Sequence, residues 1–240
     1  MLAACLGIPV VFMESLARVS GPSLTGRIIR HWCDLTIVPW PSLRAAYPHA
    51  IVVTPPMRGD GARSRPPTNP SIIVLTGTSE RGFNRLLREL DCLIEQDKLS
   101  PRVFAQIGDS TYRPRNYRSE RYIPHDQLLQ QIRNCDLVIT HDGAGSIGDA
   151  LRAGKPTIVV PRRSDIGELI YHSDLELANH LASLGWIFVA DNPADIPSAV
   201  DRAGLNRPSA LNLAGAEESQ VIAEFLDRLT SQKNQNAPPA

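Results

Sequence analysis

Two glycine-containing loops follow apolar segments of the chain and could bind a phosphate group. One comprises residues 76–82, and the other, residues 141–146, leads into a helix predicted to start at Ile147. Small residues allow a ligand to approach the backbone, and the free N–H groups and dipole of a helix N-terminus favour an anion. The candidate ligands are Gly77, Thr78, Gly143, Ala144, Gly145 and Ser146. A tight turn in which Ser146 is the helix N-cap explains the second loop equally well.

Three further polar residues near these loops each have two interpretations. His141 could contribute a ring nitrogen to a ligand or be a structural hydrogen-bonding residue. Arg162 follows an apolar segment, and its planar guanidinium suits a phosphate, although paired arginines at a strand end also occur in solvent. Asp149 could bind a ribose or simply interact favourably with the dipole of its helix.

A regular alternation of strands and helices must position these loops. Apolar strands are predicted at 72–76, 103–107, 137–140, 157–160 and 187–190, and helices at 84–95, 127–133, 147–153, 175–184 and 196–203. Uninterrupted apolar strands separated by amphipathic helices predict an α/β fold whose parallel sheet is covered on both faces. Ligands bind such sheets beyond the carboxyl ends of the strands, which is where both loops lie.

The sequence divides into four parts. Residues 1–54 contain a predicted buried strand at 8–13, further strands at 35–38 and 51–53 and a helix at 23–32, which together predict part of a second Rossmann-like domain. Residues 55–70 are predicted to be a proline-rich linker, and residues 71–230 a complete domain that ends in a closing helix over 216–229. Residues 231–240 are predicted to be a disordered tail.

Composition limits the kind of partner. The 240 residues contain 25 Lys and Arg and 25 Asp and Glu, so the whole chain lacks the positive charge typical of nucleic-acid-binding proteins. Residues 1–125 nevertheless carry 16 basic and 10 acidic side chains, an excess that favours an anionic lipid surface or a phosphate-bearing substrate. Four widely spaced cysteines predict buried, reduced thiols and a cytoplasmic location, and no apolar run is long enough to span a bilayer.

An ordered series of motifs occupies residues 71–190. They are Thr76-Gly77-Thr78, Phe83-Asn84-Arg85-Leu86, Gln106-Ile107-Gly108, the segment 139–146, Gly154-Lys155-Pro156 and the segment 159–163. This order resembles the nucleotide-sugar-binding half of family-28-type glycosyltransferases. The similarity is strongest to the catalytic subunit of the eukaryotic dolichol-linked N-acetylglucosamine transferase and its bacterial exopolysaccharide relatives. The resemblance implies a GT-B-like fold in which this domain holds a UDP-sugar donor.

The first part of the chain carries motifs of its own. They are Gly7-Ile8-Pro9, the segments 12–19 and 23–26, Val38-Pro39-Trp40-Pro41 and Tyr47-Pro48. They resemble the end of the membrane-recruiting subunit of the same two-part enzyme, so that both halves occur in one chain. The family's first half has an additional N-terminal stretch, with a glycine-rich loop and a membrane-associating segment, that this sequence lacks.

The resemblance also implies a role for individual residues. Gly77, Thr78, His141, the loop 143–146 and Arg162 would hold the nucleotide-sugar, chiefly its diphosphate, and Asp149 would bind the ribose. Glu168 belongs to a Gly-Glu pair that the family also has, so it is expected to bind the donor. Asp174 stands where the family has a glutamine that contacts sugar hydroxyls. It is also expected to bind the donor, but an aspartate there leaves the identity of the donor sugar open.

Glu14 has two interpretations. Glu14, the acid retained at a strand end of the first domain, would be the base or an ion-pair partner of Arg18. No Asp-x-Asp motif is present, so no metal is expected, and the UDP-sugar is a substrate rather than a cofactor.

These inferences predict an inverting glycosyltransferase that moves a hexose from a UDP-sugar to a polyprenyl-diphosphate-linked saccharide during exopolysaccharide assembly. The enzyme is expected to be cytoplasmic and peripheral at the inner face of the plasma membrane, where its basic first half would meet anionic lipid. Two alternatives remain open. One is a non-catalytic donor-binding subunit that needs a separate acceptor-binding subunit, and the other is a nucleotide-sugar epimerase.

Overall fold

The computed structural model describes residues 2–53, 69–169, 175–205 and 218–235, and these fall into two units. The first unit combines the described residues of Met1–Pro56 and Leu211–Ala240, and the second those of Met57–Ala210. All strand pairs in the described ranges are parallel. The predicted α/β fold class with parallel sheets is confirmed.

The first unit contains a three-stranded sheet. In chain order its elements are α1 (Leu2–Cys5), β1 (Val11–Met13), α2 (Leu24–Ile29), β2 (Leu35–Val38) and β3 (Ile51–Val52). The strand order is β1-β2-β3, and the central strand, β2, is the most buried of the three. Helix α2 begins where the Ser23 hydroxyl accepts a hydrogen bond from the Gly26 N–H at 3.0 Å, and a 3-10 turn over Arg30–Trp32 continues it.

The N-terminal segment differs from the sequence prediction. Residues 8–13 are predicted to be a buried strand, but only Val11–Met13 forms a strand, at the edge of the sheet. The side chains of Ile8, Val11 and Met13 are 52%, 39% and 43% exposed. The prediction of burial is therefore wrong, because an apolar run does not reveal whether its strand is central or at an edge. The prediction of buried cysteines is also wrong in part, since Cys5 is exposed and only Cys135 is fully buried.

The second unit contains a six-stranded sheet covered by helices. Its elements are β4 (Ile72–Leu75), α3 (Asn84–Glu95), β5 (Val103–Gln106), β6 (Arg118–Glu120), α4 (His125–Asn134), β7 (Leu137–Thr140), α5 (Ala144–Arg152), β8 (Thr157–Val159), α6 (Glu176–Ser183), β9 (Phe188–Val189) and α7 (Ile196–Leu205). The strand order is β6-β5-β4-β7-β8-β9. The prediction missed β6, whose Arg-Ser-Glu sequence lacks an apolar signal because the strand lies at the sheet edge.

Alternating residues of the central strands enter two separate cores. Ile72 and Val74 of β4 pack with the apolar face of α3, whereas Ile73 and Leu75 pack with α4 and α5. Because both faces are covered, every side chain of β4 is buried, which explains the uninterrupted apolar run in the sequence.

The last described helix, α8 (Glu218–Gln235), belongs to the first unit. Its Val221 and Phe225 are buried against Leu35 and Ile37 of β2 and against Val53. The sequence pattern instead predicts this helix within the domain of residues 71–230 and a disordered tail from residue 231, whereas the helix continues to Gln235. An amphipathic pattern identifies the face that must be buried but not the sheet that buries it. Most of the predicted linker, and residues 236–240 of the predicted tail, lie outside the described residues.

Candidate functional site

The two predicted loops meet where the strand order of the second unit reverses. From β4 the chain proceeds outward through β5 and β6, and it then returns to β7 beside β4 before it continues to β8 and β9. Leu75 at the end of β4 pairs with Thr140 at the end of β7. Ligands of open parallel sheets bind at such a reversal, beyond the carboxyl ends of the strands. The topology therefore brings the loop after β4 and the loop after β7 to the same edge.

Helix α5 begins earlier than the sequence analysis predicted. Gly143 is the N-cap, and the N–H of Ile147 donates to the Gly143 carbonyl oxygen at 3.1 Å. Ala144, Gly145 and Ser146 thus form the first helical turn, whose backbone N–H groups have no intrahelical partners. The alternative in which Ser146 is the N-cap is wrong, because Gly143 takes that position with an extended backbone and without a capping side chain. Three N–H groups that lack intrahelical partners, at the N-terminus of a nine-residue helix, suit an anion.

His141 lies packed between Gly77 and Gly143. A Cβ atom at Gly77 would lie 2.5 Å from the His141 Nε2 atom, and one at Gly143 would lie 2.2 Å from it. Gly77 also has a φ of +77°, which side chains other than glycine rarely adopt. Both glycines are therefore required by the fold, independently of any ligand. At Gly145, by contrast, a Cβ would meet no described atom within 4 Å beyond its chain neighbours and the backbone of its own helix, so the described part of the protein leaves that space open.

The imidazole of His141 is neutral at physiological pH. Burial, together with the nearby charge of Arg162, lowers its pKa to about 4, although Asp142 opposes this. The Nδ1 atom lies 3.3 Å from the Leu75 carbonyl oxygen, which can only accept a hydrogen bond, so Nδ1 carries the proton. Nε2 is consequently an acceptor, suited to a ligand hydroxyl rather than to a phosphate oxygen.

Arg162 supplies a buried positive charge beside the same loops. Its side chain follows β8, is 4% exposed and donates from NH2 to the carbonyl oxygen of Thr76, the residue before Gly77. Burial lowers the pKa of Arg162, while the carboxylates of Asp142 and Glu168 oppose the shift. The structure therefore brings Arg162 together with Gly77 and His141, as the sequence analysis predicted.

Glu168 contacts protein groups rather than open space. Its Oε1 accepts a hydrogen bond from Arg85 Nε at 2.9 Å, and its Oε2 accepts from Arg85 NH2 at 3.0 Å and from the Arg163 N–H at 2.9 Å. Arg85 was not a predicted site residue. Its only sequence signal is its place in the motif after Phe83, since 83 residues separate it from Glu168.

The other predicted donor ligands are Asp149, Thr78 and Asp174. Asp149 is on α5 beyond the first turn, where its carboxylate accepts a hydrogen bond from Arg152 at 3.0 Å and lies 4.0 Å from His125 Nδ1. Thr78 is exposed in the loop after β4. Asp174 lies outside the described residues.

Glu14, the predicted base, lies in the first unit among hydrogen-bond donors. Its Oε2 accepts from Tyr47 Oη at 2.6 Å and from the Ser23 N–H at 2.9 Å, and its Oε1 accepts from the Ser15 N–H at 2.8 Å. Burial alone would raise the pKa of Glu14, but these hydrogen bonds outweigh it and hold the pKa below its ordinary value. A carboxylate that is stabilised in this way is a weak base.

Two family profiles match different parts of the chain. The profile of the Glycosyltransferase family 28 C-terminal domain matches residues 71–229, about two thirds of the chain. The chain belongs to glycosyltransferase family 28. Residues 1–55 match a second profile, described as oligosaccharide biosynthesis protein Alg14 like. The predicted combination of two subunit-like halves in one family 28 chain is confirmed by these matches.

Relatives of known name resemble different stretches of this family 28 chain. One relative is the UDP-N-acetylglucosamine--N-acetylmuramyl-(pentapeptide) pyrophosphoryl-undecaprenol N-acetylglucosamine transferase of Prochlorococcus marinus (strain MIT 9515). The two sequences are 27% identical over 174 residues, and this match covers 66% of the chain and 46% of that protein. The chain is 37% identical over 92 residues to the human UDP-N-acetylglucosamine transferase subunit ALG13, which covers 36% of the chain and 8% of that subunit. The chain thus spans less than half the length of these relatives.

A solved structure supports the fold of this family 28 chain. The crystal structure of Acinetobacter baumannii MurG matches it with a TM-score of 0.63 at 18% identity, over 94% of this chain and 68% of that one. The predicted GT-B-like architecture is confirmed at the level of the fold. Among the described residues, no group of His, Cys, Asp and Glu side chains could hold a metal ion, and no helix is long and apolar enough to cross a membrane.

Proposed function

We propose that this chain transfers a hexose from a UDP-sugar to a lipid-linked saccharide. The observation that carries the proposal is the convergence of the free N–H groups of Ala144, Gly145 and Ser146, the buried guanidinium of Arg162 and the loop at Gly77 beside one reversal of strand order. A diphosphate needs several donors in a fixed arrangement, and backbone N–H groups together with an arginine provide them. Membership of family 28 supports the choice of a sugar diphosphate over other anions.

The proposed reaction is a single displacement at the anomeric carbon with inversion. The bond from the anomeric carbon to the UDP oxygen breaks while the acceptor oxygen forms its bond on the opposite side. Negative charge develops on the departing UDP, and the N-terminus of α5 and Arg162 would stabilise it there. The neutral His141 would accept a hydrogen bond at Nε2 from a hydroxyl of the donor.

We assign Glu14 to a structural role in the proposed enzyme rather than to proton abstraction. Three donors already occupy its two oxygens, and Tyr47 reaches it from a position 33 residues away in the chain. This hydrogen-bond network links the end of β1 to the start of α2 and to Tyr47. The acceptor hydroxyl would give up its proton to a base other than Glu14 as the new bond forms.

The proposed acceptor is a saccharide on a polyprenyl diphosphate, and the proposed place of reaction is an anionic membrane surface in the cytoplasm. Leu24, Ile28 and Trp32 form a stripe of exposed apolar side chains at a spacing of four residues, with exposures of 73%, 50% and 38%. Arg27 and Arg30 are exposed on the same short segment. An apolar stripe flanked by arginines suits a surface of anionic lipid headgroups. The named relative from Prochlorococcus acts on an undecaprenol-linked substrate, which favours a lipid of this kind.

The exposed edge of β1 favours a second candidate function. Val11 and Met13 are half-exposed apolar residues of β1, which pairs with β2 and with no other strand in the part of the chain that the structure describes. Exposed apolar edge strands often pair with another polypeptide segment. In this alternative the chain binds the donor, and a separate acceptor-binding subunit completes the first unit.

One assay separates the candidate functions. The chain is incubated with UDP-N-acetylglucosamine, UDP-glucose, UDP-galactose and UDP-glucuronic acid, with and without a polyprenyl-diphosphate saccharide, and released UDP is measured. UDP release that requires the lipid acceptor supports the transferase, and the anomeric configuration of the product, read by NMR, tests inversion. Donor binding without release supports the subunit, whereas interconversion of UDP-sugars without acceptor supports an epimerase. Absence of UDP-sugar binding would refute the proposed function.

A further inference from the structure

An ion pair in the second unit joins two residues that are far apart in the sequence. Arg85 on α3 donates from Nε and NH2 to the two carboxylate oxygens of Glu168, at 2.9 and 3.0 Å. The side chains are only 21% and 10% exposed. A bidentate pair of this kind fixes the orientation of both planar groups, and partial burial reduces its screening by solvent.

The same two side chains hold the backbone on both sides of Arg162. Arg85 NH2 donates to the carbonyl oxygen of Pro161 at 2.8 Å, and the N–H of Arg163 donates to Glu168 Oε2 at 2.9 Å. The residue before Arg162 and the residue after it are therefore both attached to one ion pair. This leaves the backbone at Arg162 little freedom to rotate.

A shared aromatic ring joins the two arginines. The guanidinium carbons of Arg85 and Arg162 each lie 5.4 Å from the centroid of the Phe83 ring, and Phe83 is fully buried. Cation–π contacts at this distance favour positive charge next to the ring. Phe83 therefore adds a third contact through which Arg85 and Arg162 affect each other's position.

The guanidinium groups retain unused hydrogen-bond donors. Arg162 Nε and Arg85 NH1 are both buried, and neither donates a hydrogen bond to the part of the chain that the structure describes. Buried donors without acceptors are rare and costly, and a retained example at a strand-end loop points to a ligand or solvent oxygen nearby. Because Arg85 already neutralises Glu168, that carboxylate offsets less of the charge that Arg162 can offer to an anion.

We propose that Arg85 and Glu168 are positioning residues that orient the guanidinium of Arg162 toward the donor diphosphate. This inference rests on the proposed function, because it assumes a UDP-sugar in the site. It changes the role that the resemblance implied for Glu168, which holds the backbone at Arg162 instead of contacting the nucleotide-sugar itself. It also gives a role to Arg85, for which the sequence analysis made no assignment.

Binding of UDP, which lacks the transferred hexose, distinguishes positioning of Arg162 by Glu168 from a direct contact between Glu168 and that hexose. Titration calorimetry with UDP and with UDP-N-acetylglucosamine is carried out on the full chain and on Glu168→Gln. The positioning role predicts that UDP itself binds about tenfold more weakly, because the charged hydrogen bonds that orient Arg162 are lost. Unchanged UDP affinity with weaker binding of the UDP-sugar alone would overturn the proposal, since a direct sugar contact gives that result.

A double-mutant cycle tests whether Glu168 acts through Arg162. In the background of Arg162→Gln, Glu168→Gln is expected to change the Kd for UDP by less than about twofold, because the group that it positions is already absent. Additive losses in the double variant would show that the two residues bind independently and would overturn the proposal. Arg85→Lys keeps the charge but loses the planar fork, so we expect it to weaken UDP binding as Glu168→Gln does. Wild-type affinity in Arg85→Lys would contradict the proposal even if Glu168→Gln fails to fold.

Arg88→Gln is the matched control. Arg88 lies three residues after Arg85 on the same helix, is exposed and stacks on Tyr112 instead. Its variant removes the same charge, and the Kd for UDP is expected to be unchanged. If the wild-type chain binds no UDP, the proposed function itself fails. If the wild type binds UDP but the cycle is additive, only the positioning role fails.

Discussion

His141 occupies the space that a side chain on Gly143 would need, with its Nε2 atom 2.2 Å from the position of that Cβ. Gly77 meets the same ring from the loop after β4. The imidazole thus joins the two strand-end loops of the candidate site, and the absence of side chains at both glycines is a condition for that contact. Substitutions at Gly77 and Gly143 therefore test packing against His141, whereas substitutions at Gly145 test the approach of a ligand.

Gly143→Ala is expected to destabilise the second unit. The new methyl group would overlap the imidazole of His141, so the ring or the loop must shift, at a cost of roughly 1–3 kcal/mol. Urea unfolding measures the loss. In the background of His141→Ala the same substitution should cost much less, because the overlapping ring is gone. Equal costs in both backgrounds would show that the two residues do not compete for the same space.

Gly145→Val is expected to leave stability nearly unchanged and to weaken UDP binding at least about tenfold. Among the described residues, no atom outside the backbone of α5 and the two chain neighbours lies within 4 Å of a Cβ at this position, so the fold accepts the side chain. The branched group would, however, stand over the N–H groups of the first turn of α5. Calorimetry with UDP gives the affinity, and thermal unfolding provides the control for stability. Unchanged UDP affinity would place the diphosphate elsewhere.

The sequence was sufficient to predict strands that are buried on both faces. Strand β7 is predicted at the residues that form it because both faces of that strand are covered, so apolar composition and burial coincide. The same reasoning fails for residues 8–13, where an edge strand leaves apolar side chains exposed, and for Arg118–Glu120, where a charged edge strand gives no apolar signal. The position of a strand within its sheet is a tertiary property that local composition does not contain.

The loops of the candidate site could be predicted from the sequence, but the side-chain contacts that link distant residues could not. The rule that ligands bind beyond the carboxyl ends of parallel strands was enough to select the loops at Gly77 and Gly143. The sequence pattern predicts the start of α5 three residues late, because a glycine N-cap has no capping side chain to recognise. The pair of Arg85 and Glu168 was missed because only the folded sheet brings together residues separated by 83 positions.

His141 should make the stability of the second unit depend on pH on the acidic side. Its pKa falls from an ordinary value of 6.5 to about 4, because of burial first and then of the charge of Arg162. Between these values the unfolded chain binds a proton that the folded protein does not, so the free energy of unfolding decreases as the pH falls from 6.5 toward 4. The full shift corresponds to about 3 kcal/mol. Thermal unfolding of the wild type and of His141→Gln across this range measures it, and parallel curves would contradict the assignment.

The exposed stripe on α2 should determine attachment to membranes. Replacing Leu24 and Ile28 together by Ser is expected to reduce co-sedimentation with vesicles of anionic phospholipid about tenfold or more, because two apolar side chains no longer enter the headgroup region. Ile166→Ser, at an equally exposed isoleucine of the second unit, is the control and should have little effect. Binding should weaken as salt is raised, since the neighbouring arginines contribute through screened charge. Absence of co-sedimentation by the wild type at low salt would refute the membrane proposal.

Asp149→Ala is expected to raise the KM for the UDP-sugar while kcat remains nearly unchanged. Asp149 follows the first turn of α5, whose N-terminus is the proposed position of the diphosphate, so its carboxylate would bind the ribose rather than the reacting carbon. Loss of one or two hydrogen bonds to a charged acceptor costs roughly 1.5–3 kcal/mol each. Arg152 also donates to this carboxylate at 3.0 Å, so Arg152→Gln serves as the control for the effect of breaking that pair alone. We expect Arg152→Gln to keep the wild-type KM. An equal rise in KM for both variants would mean that Asp149 acts through its helix, and a collapse of kcat at unchanged KM would instead make it part of the chemistry.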